Sequence, residues 1–141
     1  MRAHSVFGHL ENWDCVLERL EELTRSGQID DCQEALVALL RYPDNWRLRE
    51  AALEAAATVV RPTAALVRQL CRLTVDERLY FQARVLAAEA LGAALARLQG
   101  SDEAEADELL REAREQMQAL LRGHGVPVLH QAVRRSLPKA V

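Results

Sequence analysis

The chain of 141 residues is poor in aromatic residues, glycine and proline. Aromatic side chains make up 4% of it, and there are 6 Gly and 4 Pro. Strands favour valine, isoleucine and aromatic residues, so their scarcity argues against an all-β or α/β fold. Alanine and leucine, 23 of each, supply about a third of the sequence, and both have high helix propensity. The composition therefore predicts an all-α protein.

The sequence also lacks an apolar run of the kind that enters a membrane. Residues 1–9 contain no hydrophobic core of a secretory signal. The most apolar stretch, residues 79–98, does not contain an uninterrupted apolar run long enough to span a membrane. It is interrupted by Gln82, Arg84, Glu89 and Arg97. We therefore expect a buried helix there and no membrane partner.

The three cysteines, Cys15, Cys32 and Cys71, are odd in number and have no metal-ligand or C-x-x-C spacing. Each falls on an apolar stripe, which predicts small buried side chains rather than nucleophiles. Free thiols are typical of a reducing compartment. We expect a cytoplasmic protein.

Charge alternates along the chain around an overall net charge of -3. The net values are -5 over residues 1–40, +3 over 41–98, -5 over 99–118 and +4 over 119–141. A nucleic-acid-binding domain would show clustered positive charge, so nucleic acid is an unfavoured partner. A small basic patch is predicted beside the fourth helix, from Arg61, Arg68, Arg72 and Arg78. We interpret it as a solvated face, with a phosphate or acidic partner as the alternative.

Apolar residues recurring at three- and four-residue spacing predict about seven helices. Their approximate limits are residues 12–25, 31–40, 45–60, 63–74, 79–98, 102–122 and 128–137. The first has an apolar stripe that begins at Trp13. Acidic side chains are predicted to cap four of the helices. These caps are Asp30 or Asp31, Asp44, Asp76, and Asp102 with Glu105 as a capping box.

Two segments share a pattern of leucines, an arginine and an alanine-rich helix. Residues 36–57 read LVALLRYPDNWRLREAALEAAA, and residues 83–92 read ARVLAAEALG. Both resemble the HEAT repeat and its bilin-lyase-like relatives, and the resemblance is best over residues 31–98. It is carried by Leu39, Leu40, Pro43, Asp44, Leu48, Arg49, Ala52 and Ala55 in the first repeat, and by Arg84, Ala87, Ala88, Ala90, Leu91 and Gly92 in the second.

The resemblance implies a short right-handed α–α superhelix, a HEAT-like solenoid, in a single domain. Residues 9–25 would form an N-terminal capping helix, and residues 102–141 a degenerate third repeat, because terminal repeats are atypical. The resemblance further implies that the second helix of each pair lines the concave face. It also implies that the protein is a non-catalytic protein-binding or scaffold module. The contact residues expected on that face are Trp46, Arg47, Glu50, Glu54, Gln82 and Glu89.

No motif predicts a catalytic residue, a cofactor or a metal. The sequence contains no G-x-S-x-G, Walker loop or G-x-G-x-x-G motif. The four histidines have no metal-ligand spacing, so a metal site would have to be assembled in space. They are His4, His9, His124 and His130.

Two alternatives to a scaffold remain open. The first is a HEAT-like enzyme or accessory subunit, of the bilin-lyase type or a nucleic-acid-binding glycosylase. Such a glycosylase would use a cluster like Tyr42, Asp44, Trp46, Arg47 and Arg49 around a modified base. We favour a structural interpretation, in which Trp46 packs between repeats, Asp44 caps a helix and Arg49 is the structural arginine of the repeat. The second alternative is a homodimer.

Overall fold

The computed structural model describes residues 6–101, 105–123, 125 and 127–137. Over these ranges the chain forms seven α-helices, one 3-10 helix and no strand, which confirms the predicted all-α class and the number of helices. The helices are α1 (Trp13–Ser26), α2 (Gln33–Leu40), α3 (Trp46–Ala56), α4 (Ala64–Val75), α5 (Phe81–Gln99), α6 (Ala106–Arg122) and α7 (Pro127–Ser136). The 3-10 helix, Gln28–Cys32, precedes α2.

Helices that are two apart in the chain order pack against each other. In one row α1 packs on α3, α3 on α5 and α5 on α7; in the other, α2 packs on α4 and α4 on α6. Contacts between α2 and α3, α4 and α5, and α6 and α7 join the two rows. Helix α5 touches α3, α4, α6 and α7, as expected from its apolar sequence. It is the central element of the protein.

The core consists of leucine between helices that approach closely at alanine and glycine. Along α5 the buried alanines are Ala83, Ala87, Ala88, Ala90 and Ala94. At Gly92 a Cβ atom would lie 2.9 Å from the Cα of Ser136, which is backbone of α7. Only a residue without a side chain permits this approach.

The predicted acidic caps are wrong for the helices whose starts the structure describes. Asn45, not Asp44, caps α3, because its Oδ1 accepts hydrogen bonds from the N–H groups of Arg47 (2.9 Å) and Leu48 (3.2 Å). Thr63 caps α4 in the same way. No side chain caps α5, and Asp76 instead accepts from the backbone N–H of Arg78 at 3.0 Å. Asp102 lies outside the described residues.

Asp30 is also not a cap, because it binds the distant loop between α3 and α4. Its carboxylate accepts hydrogen bonds from the backbone N–H groups of Val60 and Arg61, at 3.0 and 2.9 Å. Gln33 binds the same loop through the Arg61 carbonyl (2.8 Å) and the Thr63 N–H (2.8 Å). A third side chain, Arg97 at the end of α5, donates to the carbonyls of Ala57 and Val59. We call Asp30, Gln33 and Arg97 the loop clamp.

The three cysteines differ in burial, so the expectation that all three are buried is wrong for Cys15. All are free thiols; Cys71 is buried, Cys32 half-buried and Cys15 exposed. Burial, together with the nearby charge of Glu112, raises the pKa of Cys71 to about 12. No helix in the described ranges is long and apolar enough to cross a membrane.

Replacing Gly92 by alanine should destabilise the protein. The new methyl group meets α7 backbone that cannot rotate away, and overpacking of this kind costs about 1–3 kcal/mol. The higher helix propensity of alanine offsets about 1 kcal/mol of that. The matched control is Gly100→Ala at the end of the same helix, where the nearest atom to a Cβ is 3.9 Å away. Urea denaturation should show a lower midpoint for Gly92→Ala only; equal midpoints would contradict the close approach of α5 and α7.

Maleimide labelling should separate the cysteines in the folded protein. Thiol modification needs the thiolate and access to it, so exposed Cys15 should react first and Cys71 should stay unmodified near pH 7.5. Mass spectrometry of tryptic peptides measures both, and labelling in guanidinium chloride provides the reference in which all thiols react. Modification of native Cys71 at the rate of Cys15 would show that the burial is wrong.

Candidate functional site

Exposed aromatic side chains lie where three helices of one row begin. Trp13 is the first residue of α1, Trp46 of α3 and Phe81 of α5, and Tyr80 directly precedes α5. Their exposed fractions are 36%, 56%, 50% and 38%, respectively. We call these four residues the aromatic edge. It contains four of the six aromatic residues of the chain, while the core is built of leucine and alanine.

Arg47 connects α1 to α3 on this edge. Its guanidinium carbon lies 5.8 Å from the ring centroid of Trp13 and 5.3 Å from that of Trp46. Both distances are within the range of cation–π attraction. Both indoles thus contact one cation, which links the first turns of α1 and α3.

Tyr80 connects α5 to α3. Its hydroxyl group donates a hydrogen bond of 2.9 Å to Oε2 of Glu50 and lies 3.5 Å from the carbonyl oxygen of Trp46. Burial, the hydrogen bond to Glu50 and the charge of Glu50 raise the pKa of Tyr80 to about 12, against a smaller opposing effect of Arg49. Phe81 beside it has the guanidinium carbon of Arg84 at 6.0 Å from its ring centroid.

A cleft lies between the α2–α3 turn and the α4–α5 turn. Its volume is about 580 Å³. Four arginines line it together with Gln69, Asp76 and apolar residues of both turns. We call it the arginine cleft, after Arg41, Arg49, Arg72 and Arg78.

The guanidinium groups in the cleft are only partly satisfied. Arg41 donates from Nε to Oε1 of the buried Gln69 at 3.2 Å, and Arg78 pairs with Asp76 at 3.3 Å. The hydrogen bond from the backbone N–H of Arg78 lowers the pKa of Asp76. The side-chain hydrogen bond and the charge of Arg78 lower it further. Arg49 donates to the carbonyl of Tyr42 at 3.2 Å, but its buried Nε has no hydrogen-bond partner among the described residues.

Arg49 and Arg84 occupy equivalent places in α3 and α5. Each is the fourth residue of its helix, and each donates to a carbonyl near the end of the preceding helix. The acceptor is Tyr42 for Arg49 and Thr74, at 2.9 Å, for Arg84. Because Arg84 is 6% exposed, this hydrogen bond is buried. The two arginines that carry the repeat resemblance therefore make the same kind of contact.

The six predicted contact residues fall into three places. Trp46, Arg47 and Glu50 meet at the aromatic edge. Glu54 is exposed beside a hollow of about 520 Å³ between α1 and α3, and Gln82 and Glu89 are exposed on α5. The expectation that Trp46 packs between repeats is wrong, because its side chain is more than half exposed.

The residues that the sequence interpretation missed are Trp13, Tyr80 and Phe81. Trp13 was expected on a buried stripe, and the other two were not singled out. In the structure Trp13, Trp46 and Phe81 share the first position of their helices. The predicted helix limits do not begin at these residues, so the sequence carries no signal for this alignment.

The members of the predicted basic patch do not lie together in the structure, and neither do those of the predicted base-binding cluster. Arg68 pairs with Glu112 at 3.3 Å, and only Arg72 and Arg78 of the patch line the arginine cleft. In the cluster, Arg49 lines that cleft, whereas Trp46 and Arg47 line a separate hollow of about 380 Å³ with Trp13. Over the described ranges, no three His, Cys, Asp or Glu residues could jointly hold a metal ion. His4 and His124 lie outside those ranges.

Removing the charge of Glu50 should lower the pKa of Tyr80. Because folding favours protonated Tyr80, stability should fall as the pH rises from about 10, the ordinary value, to about 12. Glu50→Gln should shift the absorbance titration at 295 nm towards pH 10, measured in a Tyr42→Phe background so that one tyrosine titrates. Glu54→Gln, one turn further along α3, is the control and should leave the titration unchanged. An unshifted titration in Glu50→Gln would contradict the contact.

Comparison with known proteins gives no relative: no family model, curated protein or solved structure matches the chain. Its function therefore has to be inferred from the side chains themselves.

Proposed function

We propose that this protein is a non-catalytic protein-binding or scaffold module of the HEAT-repeat type. It binds a partner protein through the row of helices that carries the aromatic edge. The observation that carries the proposal is the aromatic edge itself, because four large rings are exposed on a protein with few aromatic residues. Tryptophan, tyrosine and arginine are the residues most enriched among the energetically dominant contacts of protein interfaces.

The order of this surface supports a binding role. Arg47 contacts two indoles and Tyr80 donates a hydrogen bond to Glu50, so these contacts restrain the side chains before any partner arrives. A preorganised surface loses less conformational entropy on binding than a flexible one. The contacts also join α1, α3 and α5, so the surface extends over three helices.

Two observations support a short right-handed α–α superhelix with its clearest repeats at residues 31–98. The first is the packing of every helix on its next neighbour but one, which is how stacked helix pairs contact each other. The second is the equivalent contact of Arg49 and Arg84. In this proposal α1 is the N-terminal cap, and α6 and α7 form the degenerate third repeat. The free thiols support a reducing, cytoplasmic location.

Charge reversal on the aromatic edge should weaken partner binding without unfolding the protein. Immobilised wild-type chain and the variants Arg47→Glu and Glu50→Lys would be exposed to extract of the native cell, and bound proteins quantified by mass spectrometry. We expect the variants to lose at least one partner that the wild type holds. Circular dichroism should show unchanged helix content.

Matched controls reverse charge on the other row of helices. Arg111→Glu on α6 and Glu34→Lys on α2 are both exposed and should keep the partner. Leu91→Asp buries an unpaired charge in α5 and should unfold the chain. It shows how circular dichroism and partner binding change when binding is lost through unfolding. Full retention of every partner in both edge variants would refute the assignment of this surface.

A further inference from the structure

The arginine cleft has an excess of positive charge that the protein does not neutralise. Four arginines and one aspartate line it, which gives a charge of +3. The whole chain carries -3, so this concentration of positive charge runs against the overall balance. The one carboxylate present, Asp76, is already paired with Arg78, whose side chain is 91% exposed at the mouth of the cleft.

The other three arginines have N–H donors without a protein acceptor among the described residues. Arg49 is the least exposed of the four, and its buried Nε–H has no acceptor in the described part of the chain. Leaving a buried donor unpaired costs about 1–3 kcal/mol, more for a charged group. Arg72 has no hydrogen-bond or ion-pair partner among the described residues. Arg41 uses its Nε on buried Gln69, which fixes the direction of its guanidinium group.

These donors come from three different elements that are packed together. Arg41 follows α2, Arg49 belongs to α3 and Arg72 to α4. Helix α3 packs on α2, and α2 packs on α4, so the three guanidinium groups are held around one volume. The volume of about 580 Å³ is within the range of small-ligand sites.

The excess charge and the number of donors favour phosphate over the other anions. A single carboxylate would repeat what Asp76 already provides and leave two positive charges uncompensated. A phosphate monoester brings close to two negative charges and three acceptor oxygens, which match the planar forks of guanidinium groups. Long nucleic acid is disfavoured because the acidic remainder of the chain would repel it.

We propose that the arginine cleft is a binding site for a phosphate monoester, with Arg41, Arg49 and Arg72 as the residues that bind it. The site adjoins the aromatic edge at Arg49, whose charge also acts on Tyr80. The phosphate proposal does not rest on the protein-binding proposal, and its failure would leave that proposal intact. The ester has two sources, a phosphorylated side chain of another protein or a small phosphorylated molecule.

The experiment follows the arginine Nε–H signals of the ¹⁵N-labelled full chain by NMR. Three probes are titrated at constant ionic strength against sodium chloride. They are acetyl-Ala-phosphoserine-Ala-amide, glycerol 3-phosphate, and acetyl-Ala-Glu-Ala-amide as the carboxylate reference. We expect saturable shifts of the Arg49 and Arg72 signals with one or both phosphate probes. Tighter binding of the phosphopeptide identifies a protein source, and binding of glycerol 3-phosphate that is equal or tighter identifies a small molecule.

Variants make the assignment specific. Arg72→Gln should weaken phosphate binding about tenfold, which corresponds to one lost charge-assisted hydrogen bond. Because Arg72 is exposed, this change should leave folding intact, and circular dichroism checks it. Arg111→Gln on α6 is the matched control and should bind as the wild type does. The proposal is overturned if the phosphate probes shift no more than chloride does, if the glutamate peptide binds as well as they do, or if Arg72→Gln binds undiminished.

Discussion

The close approach of α5 to its neighbours is the constraint on which the rest of the structure depends. Helix α5 touches four other helices; its buried face carries five alanines, and at Gly92 its backbone closely approaches that of α7. A side chain at Gly92 would push α7 away from α5. The abundant alanine of the sequence is therefore a packing requirement as much as a helix preference.

The helices could be predicted from the sequence, but their first residues could not. Periodic leucines and alanines mark the buried face of each helix regardless of what surrounds it. Caps depend on which of two adjacent polar residues takes the extended conformation, and Asp44 and Asn45 are chemically alike in this respect. Asp30 was assigned to its own helix because its true partners, the N–H groups of Val60 and Arg61, are thirty residues away.

The candidate site was predicted only in part. Arg47 and Glu50 were expected at the surface, and both contact the aromatic edge. Trp46 was expected among the contact residues and, in the structural interpretation of its cluster, packed between repeats. Its side chain is 56% exposed, which agrees only with the first of these. Of the arginine cleft, Arg72 and Arg78 were predicted as part of a basic patch. Arg41 and Arg49 could not be added to that patch, since they reach it only when α2, α3 and α4 pack together.

The loop clamp has a consequence for how the protein unfolds. Asp30 and Gln33 come before or at the start of α2, Arg97 comes from the end of α5, and all three bind the same loop between α3 and α4. Unfolding of α2 and the 3-10 helix before it would leave the N–H groups of Val60 and Arg61 without their acceptor. Unfolding of α5 would leave the carbonyls of Ala57 and Val59 without their donor. Stacked repeats can lose structure one at a time when neighbours are weakly coupled. Here the shared loop links α2 to α5 through hydrogen bonds that neither helix makes alone, which opposes the loss of one repeat at a time.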